Sequence, residues 1–180
     1  MEKFAFIIHP LSIHDMAHVS PVLKFIPDSW LESALKLKKP FQVSHITGIK
    51  SPYAEAEGWF IGCPLTSKQM VELPEEFVMD RIIESGKIAQ ELGAKVVGLG
   101  AFTSIVGDAG ITVAKNLDIA VTSGNSYTVA TALEGTREAV RLMGKDLATA
   151  HVTIVGASGS IGAALSLIHI SEPTRPRLIS

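Results

Sequence analysis

The sequence predicts a mainly parallel, layered α/β fold, and three observations carry that prediction. Short apolar runs recur along the chain, at Phe4–Ile8, Lys95–Gly100 and 152–155. Between them lie segments with helical spacing and enough length to cross a sheet, clearest at Phe77–Leu92 and Tyr127–Met143. The 180 residues are 47% hydrophobic with a positive mean hydropathy, which supplies ample side chains for a core. That length suits one ordinary domain, or one domain and part of another.

Phe4–Ile8 ends at His9–Pro10 and reads as a buried first strand. Ser12 and Asp15 are spaced as a capping-box-like helix start running to about Val19, interrupted by Pro21, and Val22–Ile26 continues as a second short turn. Asp28 or Ser29 then caps a helix from Trp30 to about Leu37. Phe41–Ile49 and Glu57–Cys63 carry β-forming residues on either side of a Ser51–Pro52–Tyr53 turn, so they pair as antiparallel neighbours. Pro74–Glu75–Glu76 opens the Phe77–Leu92 helix with negative charge, and Gly93 ends it. Beyond the Lys95–Gly100 strand, Gly110–Asn116 reads as a short helix and Ile119–Val121 as a short strand. Gly144 stops the Tyr127–Met143 helix.

The most informative stretch is His151–Gly162. A β-branched run leads into glycines at 156, 159 and 162, and residues 157–162 read A-x-G-x-x-G, with Ala157 where glycine is commonest. Such a turn lets the backbone approach a pyrophosphate closely, and the helix beyond it offers unpaired N–H groups. The same spacing also serves a plain strand–helix turn. The organisation expected is an α/β substrate-side domain over residues 1–145, followed over 149–164 by the first strand, glycine loop and helix start of a truncated Rossmann domain. A proline at 173 then falls where a Rossmann helix should still be running. Leu165–Arg175 closely resembles one reading frame of a sequencing-library transposase adaptor, so residues 165–180 are expected to be a non-native tail.

Other residues invite chemistry. Thr103 and Ser104, and Ser123, Asn125 and Thr128, lie in polar loops after predicted strands, where open α/β sheets bind ligands; the same residue types also cap helices and form turns. Cys63 has no neighbouring base or cation in sequence and reads as a buried thiol. His14 and His18 are four apart, but no third ligand is marked, so no metal is expected. His9 and His45 sit near strand ends as possible bases or hydrogen-bonding groups, while Asp108 and Glu134 read as surface or capping carboxylates. Sixteen Lys and Arg against eighteen Asp and Glu leave no basic footprint for nucleic acid. No run approaches a membrane span, and the single cysteine fits a reducing cytoplasm.

At Phe102–Ile105, Thr122–Thr128 and Val155–Gly162 the chain resembles the long-chain acyl-(acyl-carrier-protein) reductases of cyanobacteria and their shikimate-dehydrogenase-like bacterial relatives. The three motifs occur in the family's order and approximate spacing. The resemblance implies NADPH-dependent reduction of a fatty acyl thioester to an aldehyde, with an acyl carrier protein or acyl thioester as substrate partner and a cysteine acyl-enzyme intermediate. It implies that Gly156, Ser158, Gly159, Ser160, Ile161 and Gly162 surround the cofactor pyrophosphate. The family's nucleophilic cysteine lies beyond the glycine loop and has no counterpart here, so this polypeptide is expected to be inactive by itself. Two other readings stay open: a shikimate- or quinate-type NADP dehydrogenase, for which no lysine–aspartate pair stands out, and a non-catalytic nucleotide- or carrier-binding domain.

Overall fold

A first strand of alternating side chains, Glu2–Ile8 (β1), lies at the centre of a five-stranded sheet in the computed structural model, which describes residues 1–13, 15 and 26–171 and the side chains as far as 167. The remaining elements in chain order are α1 (Asp28–Leu37), β2 (Phe41–Lys50), β3 (Glu55–Gly62), α2 (Ser67–Glu72), α3 (Glu75–Glu91), β4 (Val96–Leu99), a single 3₁₀ turn (Ala101–Ser104), α4 (Ile111–Lys115), β5 (Ala120–Thr122), α5 (Asn125–Leu142) and α6 (Ser160–Ser171). The sheet order is β2-β3-β1-β4-β5. β3 and β4 both run parallel to β1, β5 runs parallel to β4, and β2 alone is antiparallel, paired with β3 through the expected turn. The mainly parallel α/β fold is therefore present. The chain builds outward from β1 first to one side and then to the other, which places the reversal of strand order between β1 and β4, at their carboxyl ends.

One face of the sheet is the core. Ala5 and Ile7 stand beside Trp59 and Ile61 on β3 and Val97 and Leu99 on β4, all buried. Helix α3 covers them with Val78, Ile82, Ser85 and Ala89, an i, i+4, i+7, i+11 stripe that keeps one face of a 3.6-residue helix inward. The other face carries Phe4, Phe6 and Phe60, with the ring of Phe4 over Gly58, that of Phe6 over Gly98, and an edge-to-face contact of 5.8 Å between them. Phe6 remains 43% exposed.

Local signals fix several ends. Helix α2, which the sequence reading passed over, starts with a complete capping box. The Thr66 hydroxyl accepts the Gln69 N–H at 3.2 Å, and the Gln69 side chain accepts the Thr66 N–H at 3.1 Å. Helix α1 begins one or two residues earlier than expected, with Pro27 rather than Asp28 or Ser29 at its N-cap. Proline's fixed φ suits the entry, and Asp28 complements the dipole from the first turn. Ser12 does engage Asp15, whose carboxylate accepts its N–H at 2.7 Å and its hydroxyl at 3.2 Å. The rest of the expected 12–19 helix, His14, His18, most of the 22–26 turn and residues 172–180 of the expected tail lie outside the described residues.

The chain divides into two compact units between Ser123 and Gly124. Helix α5 thus groups with the glycine loop, whereas the sequence suggested a boundary near residue 145. Within the second unit, the run 151–154 forms no strand ladder, contrary to the strand expected there. A strand is defined by hydrogen bonds to a neighbour, and none is present for this run among the described residues. The turn and the helix start that follow it do form.

Candidate functional site

The glycine loop builds a tight reversal from its own residues. Gly156 takes φ +78°, a left-handed conformation costly for any residue with a Cβ. Its carbonyl accepts the Gly159 N–H at 3.0 Å, and the Gly159 carbonyl accepts the Ala163 N–H at 2.7 Å as the first turn of α6 closes. A Cβ on Gly162 would collide with the Gly156 carbonyl, so the helix can lie this close to the turn only with hydrogen at that position. Residues 156–160 are exposed. An α-helix leaves its first N–H groups without intrahelical partners, and in α6 those groups begin at this turn. The Asn125 side chain, opening α5, donates to the Ser160 hydroxyl at 3.0 Å, joining two motifs separated by 35 positions in sequence. Thr128 turns its hydroxyl back to the Gly124 carbonyl at 3.1 Å and so completes the first turn of α5.

The first unit holds the other candidates at the carboxyl ends of its parallel strands. Thr103, only 1% exposed, donates its hydroxyl to the Gly100 carbonyl at 2.7 Å; Ser104 donates to the Ala101 carbonyl at the same distance. Both hydroxyls hold the 3₁₀ turn together. Ala101 adopts φ +48° there, an uncommon conformation for a residue with a side chain. Ser123 is half-buried at the end of β5. His9, just past β1, is bonded through both ring nitrogens. Its Nε2 accepts the Phe102 N–H at 3.2 Å, which requires the proton on Nδ1, and Nδ1 donates to the Pro10 carbonyl at 3.0 Å. That ring is a brace between β1 and the turn after β4.

Cys63 follows β3, with its N–H on the Ile8 carbonyl at 2.8 Å. Burial pushes its thiol up to about 12, against lesser opposing effects of the Ser85 hydroxyl and the Arg81 charge. It is protonated at neutral pH and is no nucleophile. Beside it, Ile8, Pro10, Leu35, Phe41, Val43, Gly62 and Pro64 line most of a cleft of about 320 Å³, which also touches His9, Asp15 and Lys38. Sequence reasoning missed this cleft because its walls come from four separated segments. The available signal was the pair of strand-ending X-Pro steps, His9–Pro10 and Cys63–Pro64, which stop two adjacent parallel strands at the same level.

His45 serves elsewhere. It stacks on Trp59 with ring centroids 5.2 Å apart and meets Glu57 at 3.1 Å, while Lys3 meets the other Glu57 oxygen at 3.3 Å. Partial burial raises the Glu57 carboxyl, but the bonds from Lys3 and His45 outweigh it and hold the group below its ordinary value. The N–H of Thr112, and then its hydroxyl, hold Asp108 below the usual carboxylate range, so Asp108 caps α4 as expected. Glu134 is exposed on α5. Among the described residues no group of three His, Cys, Asp or Glu side chains could hold a metal ion, and no helix is long and apolar enough to cross a membrane.

No protein-family model matches the chain. It is similar to aminotransferase PigE of Serratia sp. (strain ATCC 39006), at 29% identity over 94% of this chain. The chain spans about a fifth of that relative's length, 21%.

Proposed function

We propose that this chain belongs to a cytoplasmic NADPH-dependent oxidoreductase that reduces acyl-carrier-protein thioesters to aldehydes. The observation that carries the reading is the glycine turn. Gly156 supplies the left-handed reversal, and Gly162 lets the helix lie directly against the turn, the packing that a dinucleotide-binding turn requires. When bound, NADPH supplies hydride. The chain's own part is positional: Ser158 and Ser160 offer hydroxyls at the turn, the first N–H groups of α6 would hold the phosphates, and Asn125 orients the Ser160 hydroxyl. Thr103, Ser104 and Thr128 keep the two polar loops in shape, with their hydroxyls committed to backbone carbonyls, and Ser123 stands at the end of β5.

Acyl transfer requires a thiolate, and the chain's single cysteine is buried and protonated. The 180-residue polypeptide is therefore expected to form no aldehyde from an acyl-carrier thioester and NADPH. A full-length parent is expected to do so and to lose NADPH binding on Gly162→Val. Aldehyde production by the short chain, or a parent that binds no NADPH, would overturn the reading.

The likeness to PigE favours a second reading, in which this segment is one part of a larger protein whose other parts carry aminotransferase chemistry. Assaying the parent for amino transfer separates the two. Activity that survives deletion of residues 1–164 would place that chemistry outside this segment.

A further inference from the structure

The cleft at the carboxyl ends of β1 and β3 is lined by none of the glycine-turn residues, and its place at the strand ends, its size and its lining mark it as a binding site. It lies at the carboxyl ends of two adjacent parallel strands, the end of an open α/β sheet that carries ligands. It is also large and apolar. An engineered cavity of about 150 Å³ lined by aliphatic side chains stays dry and admits benzene. This cleft, at about 320 Å³, has room for roughly twice that ligand, about a dozen carbon-sized atoms.

The polar groups on its wall discriminate further. Both nitrogens of His9 are engaged, and the Asp15 carboxylate accepts twice from Ser12. Lys38, at the C-terminal end of α1, lies 3.9 Å over the Phe41 ring and pairs with no carboxylate among the described residues. Its ammonium is the cation the wall can offer a ligand, and a ring face beneath it leaves its outer side for an oxygen.

We propose that this cleft binds one aliphatic acyl chain of about eight to twelve carbons, with the chain against Leu35, Phe41 and Val43 and the carbonyl or carboxylate oxygen toward Lys38. Identifying the occupant as the tail of a thioester substrate rests on the acyl-thioester reading above; the site itself rests on the cleft.

The test is displacement of a fluorescent fatty acid from the whole 180-residue chain by decanoate and by decanol, followed to saturation. One equivalent of decanoate is expected to bind. Val43→Trp, at an exposed strand position that tolerates bulk, should weaken decanoate at least tenfold. Lys38→Met should weaken decanoate at least fivefold and leave decanol within twofold. Leu35→Ala should move the preferred chain length upward by several carbons. Circular dichroism and the urea midpoint establish that each variant is folded. Absence of saturable binding to the wild-type chain, or binding that Val43→Trp and Leu35→Ala both leave unchanged, would overturn the site. If decanoate binds as described but the full-length parent makes no aldehyde, the reductase reading falls and the site stands. If the parent reduces acyl thioesters and Val43→Trp leaves its KM and chain-length preference untouched, the reading stands and the site falls.

Discussion

The two units bury their residues very differently, and the contrast explains which sequence patterns become structure. In the first, β1 has a parallel neighbour on each side and α3 closes over one face, so Ile7, Ile61, Ile82 and Val97 lose essentially all contact with water. In the second, α5 buries only Val129 and Val140 among its eighteen residues. The apolar run before the glycine loop reaches Val155 at 94% exposure. Both regions have β-branched sequences fit for parallel strands. Only the one with hydrogen-bonding neighbours becomes sheet, because a strand's backbone groups and side-chain faces are satisfied by what lies beside it, not by its own residues.

The sharpest way to break this comparison is to truncate one side chain in each unit. Ile82→Ala should cost about 2–5 kcal/mol through lost burial and the cavity left behind. Val155→Ala should stay within about 0.5 kcal/mol. Urea unfolding measures both, and comparable losses would mean that the apolar run is packed after all.

A second test uses the buried thiol. Below pH 9 Cys63 is protonated whether the chain is folded or not. Between its ordinary value of 9.0 and its folded value of about 12, only the unfolded chain releases the proton. Stability therefore falls as pH rises through that window, at up to about 1.4 kcal/mol per pH unit. The wild-type urea midpoint should drop more steeply above pH 9 than that of Cys63→Ala, and the native thiol should resist a thiol reagent until the chain unfolds. Parallel pH profiles for the two proteins would refute this.

Smaller effects sharpen the contrast further. Thr66→Ala removes one half of the α2 capping box and should cost about 1 kcal/mol, visible as a lower melting temperature. Gly162→Val should leave the global midpoint within about 0.5 kcal/mol while abolishing amide protection at Gly159 and Ala163, whose N–H groups close the turn. Helix α6 then has to move off the Gly156 carbonyl. Protection that persists would mean that the turn accommodates a side chain.

Much of this was legible in the sequence for local reasons. Alternation and apolar runs located β1, β3 and β4, and the 3.6-residue stripe Val78, Ile82, Ser85, Ala89 located α3. The spacing of Gly156, Gly159 and Gly162 specified a turn that the backbone confirms, and Thr112 does hold Asp108 as a cap. What local pattern could not reveal depended on partners. His9 could be a base or a brace until Phe102 supplied an N–H from 93 positions away. Thr103 and Ser104 had the chemistry of ligand groups and proved to be committed to the carbonyls of Gly100 and Ala101.

The sequence by itself determined the α/β class, the position of most elements and the glycine turn, because each follows from periodicity or backbone sterics. Only the tertiary structure decided that β1 is central, that 151–154 does not join a sheet, that Asn125 meets Ser160, and that Leu35, Phe41, Val43 and Gly62 enclose a cleft. Those outcomes depend on strand order and on contacts between distant segments, and no local spacing encodes which surfaces come to face one another.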